Sequence, residues 1–440
     1  MRRRAALATV ALASALLGAP ASAAATPSSA ASIVPAATGA CEPGTVVFSP
    51  EAPAALAALG AEEANRLATG AGVVVAIVDS GIDAGNPHLA GVVTGGIDLV
   101  GDGERGDGLS DTTGHGTAIA GQIAAQPVAG SGVVGLAPDA RLLSVRVFRS
   151  DSQQDVEKGF GPSSQRTADG IHWAADNGAD IISVSMSQVS DSVELRSAVE
   201  HAAAVGALVV ASGGNRVSDP EAEDGPRFPA AYEQALGVSA ADADGLATDS
   251  SIHGPQVDVT APGGNVLTAA TGGGDCLFAS DAPASSFATG YVSAAAALVA
   301  QAHPDDPPAG WAYRLTATAL RADADNRDDV NGWGFIQPVA AIQLLPDAST
   351  RGPVSPFFDT AESAVRPPAA AVDPDHGPSP FLRTRDAALF AAIVGATLLG
   401  VLGILIVLRR RHGAAASEEA QPEERRGGLL ERATPEGDAP

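Results

Sequence analysis

The stretch GVVVAIVDSG, residues 72–81, is a continuous run of Val, Ile and Ala that ends in Asp, Ser and Gly. A strand that is apolar on both faces is typical of the centre of a parallel sheet, because helices cover both sides of such a sheet. Further stretches of similar texture are ARLLSVRVF (140–148), DIISVSMS (180–187), ALVVASGG (207–214) and ALGVSAAD (235–242).

Two helical patterns lie between these strands. TADGIHWAADNG (167–178) and SVELRSAVEHAAAVG (192–206) place apolar residues at helical spacing, and each ends at a glycine suited to a helix C-terminus. Alternating strands and helices predict an α/β fold, with a doubly wound, mostly parallel sheet and helices on both faces. The active site of such a fold lies beyond the carboxyl ends of its strands.

The charge of the chain limits its partners. The 440 residues carry a formal net charge of −25. Binding to a nucleic-acid backbone requires clustered Lys and Arg, so we expect no nucleic-acid partner.

The N-terminus is typical of a secretory signal peptide, predicted over residues 1–23. Arg2 to Arg4 precede an apolar stretch from Ala5 to Leu17, and Ala-Ser-Ala at 21–23 suits cleavage. The alternative, a membrane anchor, is disfavoured because this stretch is too short to cross a bilayer. We therefore expect an exported protein.

The second hydrophobic segment, residues 387–408, lacks charged residues and is followed at once by three arginines. Its length fits a bilayer-spanning helix, and the arginines place the tail, residues 409–440, in the cytoplasm. The remaining boundaries are an N-terminal extension (24–60), the main domain (61–348) and a Pro-rich linker (349–386). The expected location is the cell membrane, with a single pass and the main domain extracytoplasmic.

The chain contains two cysteines, Cys41 and Cys276. In an exported protein an isolated pair is typically oxidised, so we expect a disulfide between them. The alternative is two buried free thiols.

Three side chains are candidates for catalysis. Asp79 ends the first strand, although an Asp there can also serve a turn. His115 stands between two glycines, which allow a substrate to approach closely. Ser286 lies in the first turn of an Ala-rich helix, where the helix dipole favours a developing oxyanion, although Ser285 or Ser286 could merely cap the helix.

The order Asp, His, Ser is that of subtilisin. Over residues 61–345 the chain resembles the subtilisin-like serine proteases, the subtilases of family S8. The resemblance rests on six ordered stretches: VVVAIVDSGID (73–83), GHGTAIAG (114–121), NGADIISVSMS (177–187), VVASGGN (209–215), SSFATGYVSAAAAL (285–298) and NGWGFIQPVAA (331–341).

The resemblance implies a role for each of these residues. Ser286 attacks the scissile carbonyl, His115 transfers the proton and Asp79 orients the imidazole. The side-chain amide of Asn215 donates to the oxyanion. A further stretch, expected to pair with an extended substrate, comprises Ser185, Met186 and Ser187.

Two residues depart from the family pattern. Ala284 stands where the family has glycine two positions before the nucleophile, so the backbone there must tolerate a Cβ. Ser187 stands where the substrate strand often has glycine, and we expect it to narrow the cleft.

The arrangement of signal peptide, protease domain, Pro-rich linker and C-terminal membrane helix resembles the mycosins, subtilases associated with type VII secretion. The resemblance implies a serine endopeptidase acting on protein or peptide substrates, with type VII membrane components as partners. The alternative is a structural subunit of the secretion complex with weak or dispensable proteolysis. No cofactor or metal is expected, because the acidic stretches 95–111 and 323–332 lack the spacing of a helix–loop–helix calcium site and are interpreted as solvated loops.

Overall fold

A seven-stranded parallel sheet forms the centre of the protein. The computed structural model describes residues 46–216, 221–242, 245–280, 282–358, 394–400 and 402–406. The strand order is β2-β3-β1-β4-β5-β6-β7, and every neighbouring pair is parallel. The strands are β1 (Val74–Asp79), β2 (Val93–Asp98), β3 (Arg141–Arg146), β4 (Ile181–Val184), β5 (Leu208–Ser212), β6 (Ala235–Ala241) and β7 (Val259–Pro262).

Helices and one hairpin surround this sheet. The hairpin pairs β8 (Val266–Ala269) with β9 (Asp275–Phe278) in antiparallel orientation. The helices are α1 (Ala54–Ala58), α2 (Ala61–Leu67), α3 (His115–Ala124), α4 (Gln153–Glu157), α5 (Ser164–Asp176), α6 (Val193–Val205), α7 (Ser285–Ala302), α8 (Pro308–Ala317) and α9 (Pro338–Gln343).

The core has two layers, one on each face of the sheet. Val75 and Ile77 of β1 belong to the cluster that contains α3 and α7, whereas Ala76 and Val78 belong to the cluster that contains α5 and α6. All four side chains are fully buried. This alternation explains why β1 is apolar at every position, and it confirms the predicted α/β fold with helices on both faces.

Helices α5 and α6 begin and end as their sequences predict. The side chain of Ser163 accepts a hydrogen bond from the backbone N–H of Arg166, and Ser192 does the same for Leu195. Each helix is followed by a glycine with positive φ, +81° at Gly178 and +100° at Gly206. A side chain is strained at such an angle, so glycine suits both ends.

The five predicted strands are present as β1, β3, β4, β5 and β6. The sequence did not reveal β2, whose residues are half-buried or exposed and include two glycines. Gly96 is required there, because a Cβ would lie 2.3 Å from the carbonyl oxygen of Ser144 on β3.

The chain divides into two compact units, residues 1–364 and 365–440. In the second unit, residues 394–400 and 402–406 are helical. Within the part of the chain that the structure describes, no helix combines the length and hydropathy needed to span a membrane. The predicted signal peptide, most of the N-terminal extension and linker, residues 387–393 and the cytoplasmic tail lie outside the described residues.

Candidate active site

Three chain segments meet at the carboxyl edge of the sheet. Asp79 is the last residue of β1, His115 is the first residue of α3, and Ser286 is the second residue of α7. They are separated by 36 and 171 positions along the chain, yet they lie in hydrogen-bond contact.

The imidazole of His115 connects the other two side chains. Its Nδ1 lies 2.9 Å and 3.0 Å from the two carboxylate oxygens of Asp79, and its Nε2 lies 3.1 Å from Ser286 Oγ. An ionised carboxylate only accepts hydrogen bonds, so Nδ1 carries a proton and donates a hydrogen bond to Asp79. In the neutral imidazole Nε2 is therefore the acceptor, and it faces the hydroxyl of Ser286.

The three groups differ in exposure. The side chain of Asp79 is fully buried, that of His115 is 29% exposed, and Ser286 is 8% exposed. Burial raises the pKa of Asp79, but its polar contacts, led by the charge and hydrogen bond of His115, outweigh burial and hold that pKa below its usual range. Burial lowers the pKa of His115, but the charge and hydrogen bond of Asp79, together with the charges of Asp111 and Asp151, outweigh burial, so the net pKa of His115 is raised.

Neither serine at the start of α7 caps the helix. The N-cap residue is Ala284, whose side chain cannot accept a hydrogen bond. Ser285 Oγ lies 2.6 Å from Ser212 Oγ and accepts from the backbone N–H of Gly214. Ser286 Oγ faces His115. The capping alternative is therefore wrong for both serines.

The backbone at Ala284 is extended, with φ −127° and ψ 133°. This conformation is open to every L-residue, so the replacement of the family's glycine causes no backbone strain. The other departure, Ser187, is exposed, and its narrowing of the cleft stays a prediction. A Cβ at Gly214 would lie 3.2 Å from the hydroxyl oxygen of Ser187.

The side chain of Asn215 lies beside the start of α7. Its Oδ1 accepts a hydrogen bond of 2.5 Å from the backbone N–H of Ser285. This contact directs the oxygen of the amide toward the helix and leaves the NH₂ group as the donor.

The predicted substrate strand follows directly after β4. Ser185 is buried, Met186 is half-buried and Ser187 is exposed. A cavity of about 140 Å³ lies beside this segment, and Met186 and Ser187 form part of its wall together with Phe228 from the loop before β6. The segment therefore ends in the exposed Ser187 and lies beside this small cavity.

One aromatic residue of the site was missed from the sequence. The ring of Phe287 packs against the imidazole of His115 with 5.1 Å between centroids, and against Phe278 at 5.6 Å. Its position directly after Ser286 was the available signal. Phe287 is 7% exposed, so it covers one side of the imidazole with an apolar surface.

The acidic stretch 95–111 is less solvated than its composition predicts. The side chains of Asp98 and Asp102 are 4% and 0% exposed, and both accept hydrogen bonds from the buried guanidinium of Arg146. An arginine therefore supplies the positive charge at these carboxylates. In the described parts of the chain, no group of three or more His, Cys, Asp or Glu side chains is arranged to hold a metal ion.

Of the two cysteines, Cys276 is buried on β9. Cys41 lies outside the described residues. The disulfide between them stays a prediction.

Residues 70–334 match the family model described as the subtilase family. Mycosin-1 of Mycobacterium tuberculosis is 34% identical over 362 residues, which cover 73% of this chain and 78% of that protein. The crystal structure of MycP1 from Mycobacterium smegmatis is similar at 31% identity and a TM-score of 0.60, covering 71% of this chain and 91% of that one. The MycP3 protease from the type VII (ESX-3) secretion system is similar at 30% identity and a TM-score of 0.58, covering 69% and 90%.

Proposed function

This chain belongs to the subtilase family and is a serine endopeptidase, and we propose that it cleaves exported proteins as a membrane-anchored mycosin. The observation that carries the proposed mechanism is the continuous contact from Asp79 through His115 to Ser286, with distances of 2.9 Å and 3.1 Å. Nucleophile, base and orienting group need this arrangement for acyl transfer.

The reaction begins with the attack of Ser286 Oγ on the scissile carbonyl carbon. His115 Nε2 takes the hydroxyl proton as the bond forms and later donates it to the leaving amine. Asp79 keeps Nδ1 protonated and stabilises the imidazolium. Water then releases the acyl group from Ser286 by the same proton transfers in reverse.

The tetrahedral oxyanion receives two hydrogen bonds in this proposal. One comes from the side-chain NH₂ of Asn215, whose oxygen is held by Ser285, and the other from the backbone N–H of Ser286. The backbone of Ser185 to Ser187 pairs with the substrate as an added strand, because main-chain hydrogen bonds give affinity without selecting a sequence.

The membrane anchor is residues 387–408, with the protease domain extracytoplasmic and the tail 409–440 cytoplasmic. This proposal is supported by the uncharged apolar run and the arginines that follow it. Association with a type VII secretion system is supported by the relatives, one of which is a protease from such a system.

The full-length protein in isolated membranes tests these proposals together. We expect the wild type to hydrolyse an unstructured protein such as casein, and Ser286→Ala to lose this activity. We also expect the protein to stay in the membrane pellet after carbonate extraction. A protein that is extracted would contradict the anchor. A wild type that cleaves nothing, but comigrates with a larger membrane assembly, would support the structural subunit instead.

A further inference from the structure

Asp111 lies four positions before His115 in the loop that leads into α3, and it is 6% exposed. Its Oδ1 accepts a hydrogen bond of 2.8 Å from the backbone N–H of Gly114. Its Oδ2 accepts from the backbone N–H of Thr117 at 2.9 Å and from the Thr117 hydroxyl at 2.7 Å. One carboxylate therefore holds the backbone on both sides of His115.

The same carboxylate also binds Ser80, the residue that follows β1. Its Oδ1 accepts a hydrogen bond of 2.9 Å from the hydroxyl of Ser80. Ser80 Oγ in turn accepts from the backbone N–H of Gly116 at 3.0 Å, and the Ser80 backbone N–H donates to Asp79 Oδ1 at 2.7 Å. Through these two hydrogen bonds Ser80 connects Asp79 to Gly116.

The loop before α3, the first turn of α3 and the residues after β1 pack backbone against backbone, with no room for a side chain at two glycines. A Cβ at Gly116 would lie 2.1 Å from the carbonyl oxygen of Gly81, and a Cβ at Gly81 would lie 2.0 Å from that of Ser110. Backbone lies against backbone at both points, so a shift of the loop moves β1 and α3 relative to each other.

Three carboxylates act on the imidazole of His115 from three segments. Asp79 acts from the end of β1, Asp111 from the loop before α3 and Asp151 from the loop after β3. Burial lowers the pKa of His115, whereas the charges of all three carboxylates raise it. The Asp111 carboxylate therefore favours the imidazolium that forms when His115 accepts a proton.

We propose that Asp111 is a positioning residue of the protease: through Ser80 and the first turn of α3 it sets the position of His115 between Asp79 and Ser286, and its charge supports the imidazolium. The proposal rests on the proposed triad. It adds a carboxylate that does not touch the substrate but acts through His115.

The test measures the rate at which a fluorophosphonate probe labels the full-length protein, as a function of pH. We expect Asp111→Asn to slow labelling by about 10- to 100-fold, because misplaced catalytic groups lose rate steeply. We also expect the acidic midpoint of the rate to move to lower pH, because loss of the Asp111 charge lowers the pKa of His115.

Two further variants separate position from charge. Ser80→Ala removes the connection but keeps the Asp111 charge, so the rate falls while the midpoint stays. Asp107→Asn is the matched control, because Asp107 lies in the same loop but is bound by the exposed Arg105, and it changes neither quantity. Should Asp111→Asn fail to fold, an unchanged rate in Ser80→Ala overturns the proposal.

The failures are distinguishable. A wild type that does not label contradicts the triad and this proposal together. A wild type that labels, with Asp111→Asn labelled at the same rate, contradicts only the role of Asp111. A slower rate without any shift of the midpoint also overturns the proposal, because a purely structural residue gives that result.

Discussion

The side-chain oxygen of Asn215 lies 2.5 Å from the backbone nitrogen of Ser285, the residue before the proposed nucleophile. This contact couples the orientation of one amide to the first turn of α7. The amide NH₂ therefore has a fixed direction before any substrate binds. Preorganised donors of this kind are effective because they need no reorganisation during the reaction.

Asn215→Ala removes this donor. We expect kcat to fall by about 10²- to 10³-fold, as measured for a single oxyanion donor in a subtilisin, with little change in KM. Asn177→Ala is a suitable control, because Asn177 is exposed at the end of α5 and its amide binds the carbonyl of Trp173. Peptide hydrolysis kinetics measure both variants. A rise of about 10²- to 10³-fold in KM with kcat unchanged would show that Asn215 stabilises the bound substrate and not the transition state.

The raised pKa of His115 predicts the pH dependence of labelling by a fluorophosphonate. His115 must be neutral to accept the Ser286 proton, so the rate falls as the pH drops through the pKa of His115. Because Asp79 raises that pKa, we expect the acidic midpoint to lie above the usual histidine value of about 6.5.

Asp79→Asn tests the same interaction between Asp79 and His115 by removing the carboxylate. Loss of the carboxylate charge lowers the pKa of His115, so the acidic midpoint of labelling moves to lower pH. Without the carboxylate the imidazole is no longer held in the tautomer with the proton on Nδ1, so the labelling rate falls by about 10⁴-fold. The pH profile of wild type and variant gives both quantities. A midpoint that is the same in the two proteins would contradict the assignment of Asp79.

Ala284→Gly restores the residue that the family has before the nucleophile. Since Ala284 is in an extended conformation that alanine adopts without strain, we expect labelling at the wild-type rate. The added freedom of glycine in the unfolded chain lowers the free energy of unfolding by about 0.4–1 kcal/mol. Urea unfolding and the labelling rate measure the two effects. A faster rate in the variant would mean that Ala284 restrains the active site.

Arg146→Met leaves the buried carboxylate of Asp98 without its cation, and leaves Asp102 with only the more distant guanidinium of Arg149, at 3.7 Å. The guanidinium lies 2.7 Å from both Asp98 and Asp102, and removal of one partner from a buried ion pair costs about 3–5 kcal/mol. Arg105→Met, at an exposed ion pair of the same loop, should cost less than about 1 kcal/mol. Urea unfolding compares them. If the two variants lost the same free energy of unfolding, burial of the Arg146 ion pairs would add nothing to their contribution to stability.

The three proposed catalytic residues could be located from the sequence because each has a local signal. A polar residue ends an apolar strand at Asp79, two glycines flank His115, and small residues follow Ser286. The alternation of strands and helices then places all three at one edge of the sheet. Local pattern and overall fold agree at these positions, which is why the meeting of these three side chains could be predicted.

Buried polar residues without a local sequence signal were not predictable in this way. His88 has the sequence surroundings of a loop residue, yet its side chain is fully buried and lies 2.8 Å from Asp275, 187 positions later. Arg146 likewise meets Asp98 and Asp102 only after the sheet has formed. Such contacts depend on tertiary packing, and a single sequence contains no pattern for them.

The most direct test of the account is the site of covalent modification by a fluorophosphonate. The full-length protein is labelled, digested and analysed by tandem mass spectrometry, with Ser286→Ala and Ser285→Ala treated in parallel. We expect one adduct on Ser286, its loss in Ser286→Ala and its retention in Ser285→Ala. An adduct on Ser285, or labelling that survives Ser286→Ala, would contradict the proposed nucleophile and with it the proposed triad.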